Sequence, residues 1–471
     1  MEPSFFFYDL ETSGLSTSRD QILQFGGIRT NLKLEPIGPE YNLKIMLRKD
    51  VLPSPSAIFL TGIDPFQSGI TEAELARIFN TEIAQSGTIF VGYNNIRFDD
   101  EFIRYLNYRN LYDPYGWHYN NNRSRWDLMD LVRLTRALRP GDINWPVNED
   151  GLPVNKLESL TQANKLNHLT AHDALSDVYA TLQIAQLINR SAPRLFQYNL
   201  RHRSKPSLME FLRANASFVY TSSHFDSKNL NTTIVAPLML DLNQKVDVLV
   251  WDLRYDPLPY LNLSSQELAE LWHYDIDLKR TTLPVKLIKL NHCPALAPLS
   301  TLDSDTKTRL NIDDQEISRN RKNLFDNRQE LAAKLTESRA ILNVSKITDD
   351  RPVDLRLYEG FINNRDNQVL QLIHEQDIAT LVKPFSEERM NFLLAVYKAR
   401  NFEDRLTKEE LANFKEYTRS LLNYKDYKPS SIERYKQEMQ RLKAKKLDRH
   451  EATLIKKLET VYRTISNEYG S

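Results

Sequence analysis

Two carboxylates lie two residues apart at the end of a predicted strand. Asp9 and Glu11 follow the aromatic run at residues 5–8, which is typical of a buried strand. Because residues i and i+2 point to the same face of a strand, the two side chains should lie side by side. Two such charges repel each other unless a cation lies between them, and Mg²⁺ and Mn²⁺ prefer oxygen ligands. The pair indicates a divalent-metal site, although a solvated strand end has the same pattern.

Two later segments bring further carboxylates and a histidine. Asp99 opens a predicted helix after a predicted strand, and Asp100 and Glu101 adjoin it. Asp177 lies among apolar residues of another predicted helix, where a carboxylate is costly unless it is paired or binds a metal. His172 lies just before that helix, and an imidazole is a natural general base for water. Each segment alone is also compatible with a helix cap or a solvated surface, but together they match a two-metal phosphoryl-transfer site.

An α/β arrangement over the first 190 residues would position these groups. Apolar runs predict strands at 5–8, 21–29, 41–47 and 88–91. Residues 36–39, which contain two prolines and a glycine, predict a turn. Helical periodicity predicts helices at 72–83, 100–111, 126–138 and 173–188. Strands first, then helix alternating with strand, predict a mixed sheet flanked by helices.

The remainder of the chain changes character twice. Between about 200 and 350, β-branched runs predict strands at 232–235, 246–253 and 283–290. Helices are predicted there at 265–272 and 315–342. From about 355 onward nearly every segment has a helical pattern, ending in a long stretch at 431–468.

Composition excludes several classes of protein. The chain has 471 residues, with 62 Lys+Arg, 62 Asp+Glu and one Cys. This length predicts two to four domains, and a single Cys rules out an internal disulfide or a Cys-rich zinc site. Neither a membrane span nor a signal peptide is visible in the sequence, so we expect a cytoplasmic protein.

Three short motifs in combination resemble those of the DEDDh 3′→5′ exonucleases, whose fold is ribonuclease H-like: Asp9-x-Glu11-Thr12, Phe98-Asp99 and His172-x4-Asp177. Longer strings are similar to the bacterial exodeoxyribonuclease I family, at 92–101, 124–128, 143–146, 150–153, 284–287 and 357–361. The resemblance covers essentially the whole chain and is strongest in residues 4–190. One departure is Ser13, where this family often has an aromatic residue.

The resemblance implies a fold and an activity. It implies an α/β nuclease domain with a mixed sheet at 1–194, an SH3-like β-rich domain with a helical extension at 195–350, and an all-helical domain at 351–471. The implied enzyme digests single-stranded DNA from the 3′ end, releases nucleoside 5′-monophosphates, and acts in bacterial DNA repair and recombination. The implied partners are single-stranded DNA and the acidic tail of single-strand-binding protein, with Arg139 as a candidate contact for that tail. A monomer would suffice.

The resemblance also assigns roles to residues. Asp9, Glu11, Asp99 and Asp177 would hold two Mg²⁺ ions, with Mn²⁺ as a substitute, and His172 would deprotonate the attacking water. The motif spacing selects Asp99 over its two acidic neighbours. The expected substrate contacts are Glu11, Thr12, Tyr93, Asn94, Phe98 and Arg125.

Single strands are bound by aromatic stacking and a basic track, and the sequence offers a wider set of such residues. Around the second motif these are Arg97, Arg104, Arg109, Tyr112, Tyr115, Trp117, Tyr119, Arg123 and Trp126. Later candidates for phosphates are Arg201, Arg203, Lys205, Lys443, Lys445 and Lys446. A packed core position or a solvated surface is the plainer interpretation of each.

Two alternatives stay open at this point. An RNA 3′-end trimming exoribonuclease would carry the same motifs, because nothing in them contacts a 2′-hydroxyl. A non-catalytic nucleic-acid-binding scaffold is disfavoured, because all five site residues are present and clustered carboxylates are costly to retain without a metal.

Overall fold

The computed structural model describes residues 2–167, 173–238, 247–272, 274–275, 280–281, 283–342, 351–425 and 429–469. These residues form two compact units. The first lies within 1–124, 169–179 and 348–471, and the second lies within 125–168 and 180–347. The C-terminal helices therefore belong to the same unit as most of the N-terminal α/β region.

The N-terminal sheet has the strand order β3-β2-β1-β4-β5. The strands are β1 (Ser4–Thr12), β2 (Ile22–Thr30), β3 (Pro36–Lys44), β4 (Thr88–Gly92) and β5 (Ser124–Asp127). Central β1 pairs antiparallel with β2 and parallel with β4. Its side chains are nearly all buried, as expected of a continuous apolar run covered on both faces. The predicted mixed sheet is confirmed.

Two local predictions in this region are wrong. The segment at 36–39 is the start of β3 and not a turn; β3 lies at the sheet edge with most of its residues exposed. Proline is tolerated there because the outer side of an edge strand needs no N–H donor. Trp126 lies in β5 and not at the start of a helix, and its indole N–H donates to Asn199 Oδ1 at 2.7 Å.

The described residues of the N-terminal region form six helices, four of which the periodicity predicts. They are α1 (Pro55–Thr61), α2 (Glu72–Ile78), α3 (Asp99–Arg109), α4 (Leu128–Leu138), α5 (Leu157–Ala163) and α6 (Ala174–Ser191). The predicted helix at 72–83 is α2 continued by a π-helical turn at Phe79–Ile83. An aromatic core that includes Phe25, Phe79, Phe90 and Trp117 packs between the sheet and these helices.

The second unit contains an antiparallel sheet of order β11-β8-β7-β6-β12. Its strands are β6 (Phe218–Thr221), β7 (Thr232–Pro237), β8 (Asp247–Asp252), β11 (Val285–Lys289) and β12 (Ala295–Pro298), and a two-stranded pair is formed by β9 (Tyr274–Asp275) and β10 (Arg280–Thr281). The helices before and among these strands are α7 (Pro193–Arg201), α8 (Lys205–Ala214), α9 (Leu258–Leu261), α10 (Ser265–Leu271) and α11 (Ser304–Arg309). The predicted helix at 315–342 is two helices, α12 (Asp314–Asp326) and α13 (Arg328–Leu342).

The C-terminal region is helical, as predicted. Its helices are α14 (Asn364–Leu372), α15 (Glu388–Asn401), α16 (Lys408–Asn423), α17 (Ser431–Lys443) and α18 (Arg449–Tyr469). The predicted helix at 431–468 is interrupted between Lys443 and Arg449. Tyr105 and Tyr108 of α3 share one apolar core with α15 and α16, and Leu23 and Ile58 share another with α17 and α18. The N-terminal α/β region and the C-terminal helices are thus packed through common cores.

The expected domain boundaries at 194/195 and 350/351 stay predictions. Among the described residues, no helix combines the length and apolar character that crossing a bilayer requires.

Candidate active site

The end of β1 presents the first two carboxylates. Asp9 faces Gly26 and Glu11 faces Gln24 across the antiparallel pairing with β2. The pairing shifts register directly after Glu11, and Thr12, the last residue of β1, then pairs with Ile22. Because β1 also runs parallel to β4, the residues that follow both strands lie at the same edge of the sheet.

Helix α6 brings Asp177 to this edge. Carboxylate oxygens of Asp9, Glu11 and Asp177 lie within 4.8 Å of one another; we call these three residues the carboxylate cluster. The clustering predicted for β1 and the helix around Asp177 is confirmed in its geometry. Three hard oxygen donors at this spacing fit a divalent cation such as Mg²⁺ or Mn²⁺.

The electrostatics of the carboxylate cluster also favour a bound cation. Burial raises the pKa of Asp9 well above its usual value, and the nearby charges of Asp99, Asp177 and Glu11 raise it further. Burial, together with the charges of Asp177 and Asp173, raises the pKa of Glu11 to about 8. Without a cation, folding brings these carboxyls into an environment that disfavours their charged forms. A bound cation would remove that cost, so the residues present fit a metal.

The structure distinguishes the three consecutive acidic residues at the start of α3. The negative charge of Asp99 is the largest of the charge effects that raise the pKa of Asp9. Asp100 is fully buried and accepts hydrogen bonds from the Tyr8 hydroxyl and from Asn95 Nδ2, the latter at 3.1 Å. Glu101 accepts from Arg104 and from the Tyr358 hydroxyl. Asp99 is not one of the three residues of the carboxylate cluster, and its selection over its two acidic neighbours as a metal ligand stays a prediction.

The predicted general base, His172, lies outside the described residues. The adjacent Asp173 is described and precedes α6. Its carboxylate accepts from the backbone N–H of Ser176 at 3.0 Å, which caps the helix that carries Asp177.

Sequence reasoning missed two residues that contact this arrangement. Gln24 lies opposite Glu11 and donates to Asp173 Oδ2 at 2.9 Å, and the charge of Asp173 contributes to the raised pKa of Glu11. An acidic residue directly before a predicted helix is a recognisable cap, so Asp173 had a local signal. Gln24 had none, because only its strand pairing brings it opposite Glu11.

The predicted substrate contacts have varied surroundings. Thr12 is buried, and its hydroxyl donates to the carbonyl of Gly14 at 2.8 Å. Tyr93 and Asn94 are half-buried, and Asn94 has a left-handed backbone with a φ of 67°. Phe98 is half-buried with its ring 5.0 Å from that of Phe102. Thr12 is the last residue of β1 and the other three lie in the segment after β4, and their roles in substrate binding stay predictions.

Arg125 belongs to the second unit, where its guanidinium donates to the carbonyl of Asn291 at 2.7 Å. Its predicted role in substrate binding also stays untested.

Several of the wider DNA-contact candidates are structural. Trp117 is buried in the aromatic core, and Arg109 is buried in an ion pair with Glu72 at 2.7 Å. Arg123 donates to three backbone carbonyls, whereas Tyr119 is 59% exposed. Ser13 is fully buried and accepts from the backbone N–H of Gln21 at 3.0 Å, so it stabilises the turn after β1.

Family models match three consecutive parts of the chain. They are described as Exonuclease (residues 6–185), Exonuclease I SH3-like domain (203–338) and Exonuclease I C-terminal domain (351–465). The β-rich middle and the helical C-terminal region described above are thereby assigned to known domain types.

Whole-chain relatives agree with these matches. Exodeoxyribonuclease I of Escherichia coli K12 is 37% identical over 454 residues, which are 94% of this chain and 93% of that protein. The zinc-bound complex of E. coli exonuclease I with single-stranded DNA superposes with a TM-score of 0.89 at 35% identity, covering 99% and 100% of the two chains. Exonuclease I in a structure with single-strand-binding protein and the inhibitor CFAM gives a TM-score of 0.85 at 35% identity, covering 98% and 100%. The chain therefore belongs to the exonuclease I family and is an exodeoxyribonuclease.

Proposed function

We propose that this exodeoxyribonuclease hydrolyses single-stranded DNA from its 3′ end and releases nucleoside 5′-monophosphates. The carboxylate cluster is the observation that carries the proposal, because three acidic side chains, one buried and two half-buried, lie within 4.8 Å of one another and repel each other unless a cation is bound. The single-stranded DNA in the complex of the E. coli relative supports the choice of substrate.

Asp9, Glu11, Asp99 and Asp177 would hold two divalent ions. Bound ions would supply a nucleophilic water at neutral pH and stabilise charge on the phosphate. We infer Mg²⁺ as the resident ion, with Mn²⁺ as a substitute, because the donors are carboxylate oxygens. Zinc is bound in the structure of one relative, so DNA cleavage should be compared in Mg²⁺, Mn²⁺ and Zn²⁺.

His172 would accept the proton of the attacking water. The support is its position in the sequence, five residues before Asp177 and next to the Asp173 cap. We expect His172→Ala to lower the cleavage rate by about 10²–10⁴, the usual contribution of a general base. A rate within threefold of the wild type would contradict this role.

Substrate positioning would fall to residues at the end of β1 and after β4. Thr12 would contact the 3′-terminal nucleotide, and Glu11, Tyr93, Asn94 and Phe98 would be further substrate contacts. Arg125 would contact a phosphate. Aromatic stacking on a base is worth about 1–3 kcal/mol, so Phe98→Ala should raise KM for DNA by roughly 5–150-fold.

The first experiment uses a 5′-labelled DNA strand with Mg²⁺, beside a duplex, an RNA strand of equal length and an EDTA control. We expect metal-dependent shortening of the DNA strand from its 3′ end, with duplex and RNA spared. Preferential loss of the RNA strand would make the protein a trimming exoribonuclease. Cleavage that persists in EDTA would contradict the metal site.

A matched pair of variants tests the ligand assignment at α3. Asp99→Asn should abolish cleavage and weaken Mn²⁺ binding, measured by calorimetry. Glu101→Gln, two residues along the same helix, should leave Mn²⁺ binding unchanged because its carboxylate is bound by Arg104 and Tyr358. Weaker Mn²⁺ binding in Glu101→Gln, with unchanged binding in Asp99→Asn, would mean that Glu101 is the metal ligand.

We also propose the oligomeric state, location and pathway expected of this family: a monomeric enzyme in the bacterial cytoplasm, acting in DNA repair and recombination.

Single-strand-binding protein is the proposed partner, since a relative forms a complex with it. Arg139, whose side chain is 44% exposed and lies 3.7 Å from Asp303, is a candidate for its acidic tail. Arg139→Ala should weaken binding of a tail peptide without changing cleavage of short oligonucleotides. Unchanged peptide affinity would remove Arg139 from that contact.

A further inference from the structure

We propose that Gln24 is a positioning residue for the metal site: it attaches the start of α6 to β2 and thereby sets the place of Asp177 relative to Asp9 and Glu11. The inference rests on the proposed role of Asp177 as a metal ligand. It concerns a residue outside the three sequence motifs.

Gln24 lies on the face of the sheet that carries the carboxylates. It is opposite Glu11 in the β1–β2 pairing and only 5% exposed. Its Nε2 donates to Asp173 Oδ2 and to Asn42 Oδ1, both at 2.9 Å, and its Oε1 accepts from the backbone N–H of Ala174 at 3.4 Å. One amide therefore contacts both the cap of α6 and the first residue of that helix.

Asp173 connects Gln24 to the first turn of α6 through two further hydrogen bonds. Its carboxylate accepts from the Ser176 N–H, and its backbone carbonyl accepts from the Asp177 N–H, both at 3.0 Å. Asp177 is thus one helical turn from a residue that Gln24 holds. A shift of Asp173 would carry the Asp177 carboxylate with it, because the hydrogen bonds of this turn connect the two.

The neighbouring backbone leaves little room for α6 to move toward the sheet. Gly26 lies two residues from Gln24 on the same face, opposite Asp9. A Cβ atom at Gly26 would lie 2.5 Å from the backbone carbon of Ala174, so the helix start and the strand are in direct contact. The Gly26 contact limits approach of the helix, and the Gln24 hydrogen bonds oppose its departure.

The chemistry of the side chain is specific to an amide. Asp173 is a carboxylate that lies close to Glu11, so its partner on β2 has to donate a hydrogen bond without adding negative charge. A glutamine does this, whereas a glutamate of the same shape could not donate from an ionised carboxylate. An isosteric substitution can therefore separate positioning from packing.

The test compares Gln24→Glu and Gln24→Ala with the wild type, with Mn²⁺ alone as the probe in calorimetry. Partners of metal ligands typically contribute 10–100-fold to metal affinity or activity. We expect both variants to weaken Mn²⁺ binding and lower kcat by about that factor, with KM for DNA within threefold of the wild type. Wild-type Mn²⁺ affinity in Gln24→Glu would overturn the proposal, since that variant preserves volume and removes the donor.

A second variant tests the direction of the hydrogen bond. Asp173→Asn combined with Gln24→Glu exchanges the two chemical groups, so the amide at 173 can donate to the carboxylate at 24 and still cap Ser176. We expect the pair to recover at least tenfold of the Mn²⁺ affinity lost in Gln24→Glu. If the losses of Mn²⁺ affinity caused by Asp173→Asn and by Gln24→Glu simply add in the double variant, the two side chains do not interact directly.

Two controls separate this proposal from its premises. Gln21→Ala removes a buried glutamine near the start of β2 whose amide donates to the Met46 carbonyl at 2.8 Å, and it should cost stability without changing Mn²⁺ affinity. Equal losses of Mn²⁺ affinity in Gln21→Ala and Gln24→Ala would reduce Gln24 to a packing residue. Asp177→Asn tests the premise: wild-type Mn²⁺ affinity in that variant would refute Asp177 as a ligand, whereas its loss with Gln24→Glu unaffected would refute only the positioning role.

Discussion

The first unit contains two groups of buried carboxylates with opposite electrostatics. In the carboxylate cluster, burial and neighbouring negative charges raise the pKa values of Asp9 and Glu11. In the second group, burial alone would raise the pKa values, but arginines more than offset it. The pKa of Glu72 falls to about 2 beside Arg109 and Arg48, and the pKa of Asp354 falls well below its usual value beside Arg400.

The second group is an ion network that links the segment after β3, α2 and α3 to the C-terminal region. Its members are Arg48, Asp50, Glu72, Arg109, Asp354 and Arg400. Arg400 of α15 contacts Asp50 and Asp354, each at 2.7 Å, and all three side chains are almost fully buried. The network has three cations for three anions, so folding itself supplies the counter-charge.

Carboxylates that folding removes from water, fully or in part, therefore have two distinct roles in this unit. Where arginines are in place, a buried carboxylate contributes to the attachment of two regions of the chain. Where carboxylates face other carboxylates, the missing positive charge has to come from a ligand. The predictions below would weaken or sharpen this comparison.

Asp9→Asn should abolish cleavage while leaving the melting temperature in EDTA unchanged or higher. The substitution removes a ligand but also removes repulsion among buried carboxylates. A nuclease assay and thermal unfolding, both with and without Mg²⁺, provide the measurement. A fall of several degrees in EDTA would mean that Asp9 stabilises the fold, contrary to the comparison.

Asp354→Asn should have the opposite effect: it should lower stability and leave cleavage activity unchanged. Removing one partner of a buried ion pair costs about 3–5 kcal/mol, because Arg400 keeps its charge and loses part of its counter-charge. We expect that loss in urea unfolding followed by circular dichroism, with kcat at 25 °C unchanged. Lost activity at unchanged stability would place the ion network in the catalytic machinery.

Metal binding should stabilise the protein more at pH 8 than at pH 5. The pKa of Glu11 is raised from 4.5 to about 8, so without metal its contribution to stability is fully present below about pH 4.5 and is lost as pH rises toward 8. A bound cation lowers that pKa again and removes the loss. Melting temperatures with Mg²⁺ and with EDTA should therefore diverge across this range, and the gap should narrow in Glu11→Gln. A gap independent of pH would contradict the raised pKa.

Glu403→Gln should have the smallest effect. The Glu403 carboxylate pairs with Lys49 at 2.7 Å, but the two side chains are 49% and 72% exposed. Exposed ion pairs contribute about 0–1 kcal/mol because water screens them. Urea unfolding of Glu403→Gln beside Asp354→Asn compares an exposed pair with a buried one, and losses of equal size would mean that burial does not set the difference.

Local residue patterns were enough to predict much of the secondary structure and part of the candidate site. The period of two in β1 was enough to place Asp9 and Glu11 side by side, and helical periodicity was enough to place Asp177 on a helix. Prediction failed where the surroundings of a segment, and not its own pattern, decided the outcome. Residues 36–39 became an edge strand because the sheet ended there, and Trp126 became a strand residue.

The tertiary structure alone decided which charged groups have partners. Arg109 and Glu72 are 37 residues apart in the chain, and Arg400 and Asp50 are 350 apart, so no local pattern distinguishes them from DNA contacts or metal ligands. The same holds for Gln24 and Asp173, which are 149 residues apart. Residue types and spacing set the chemistry that a segment can offer, but the cost of a buried charge depends on its neighbours in space, and folding brings those neighbours together from distant parts of the chain.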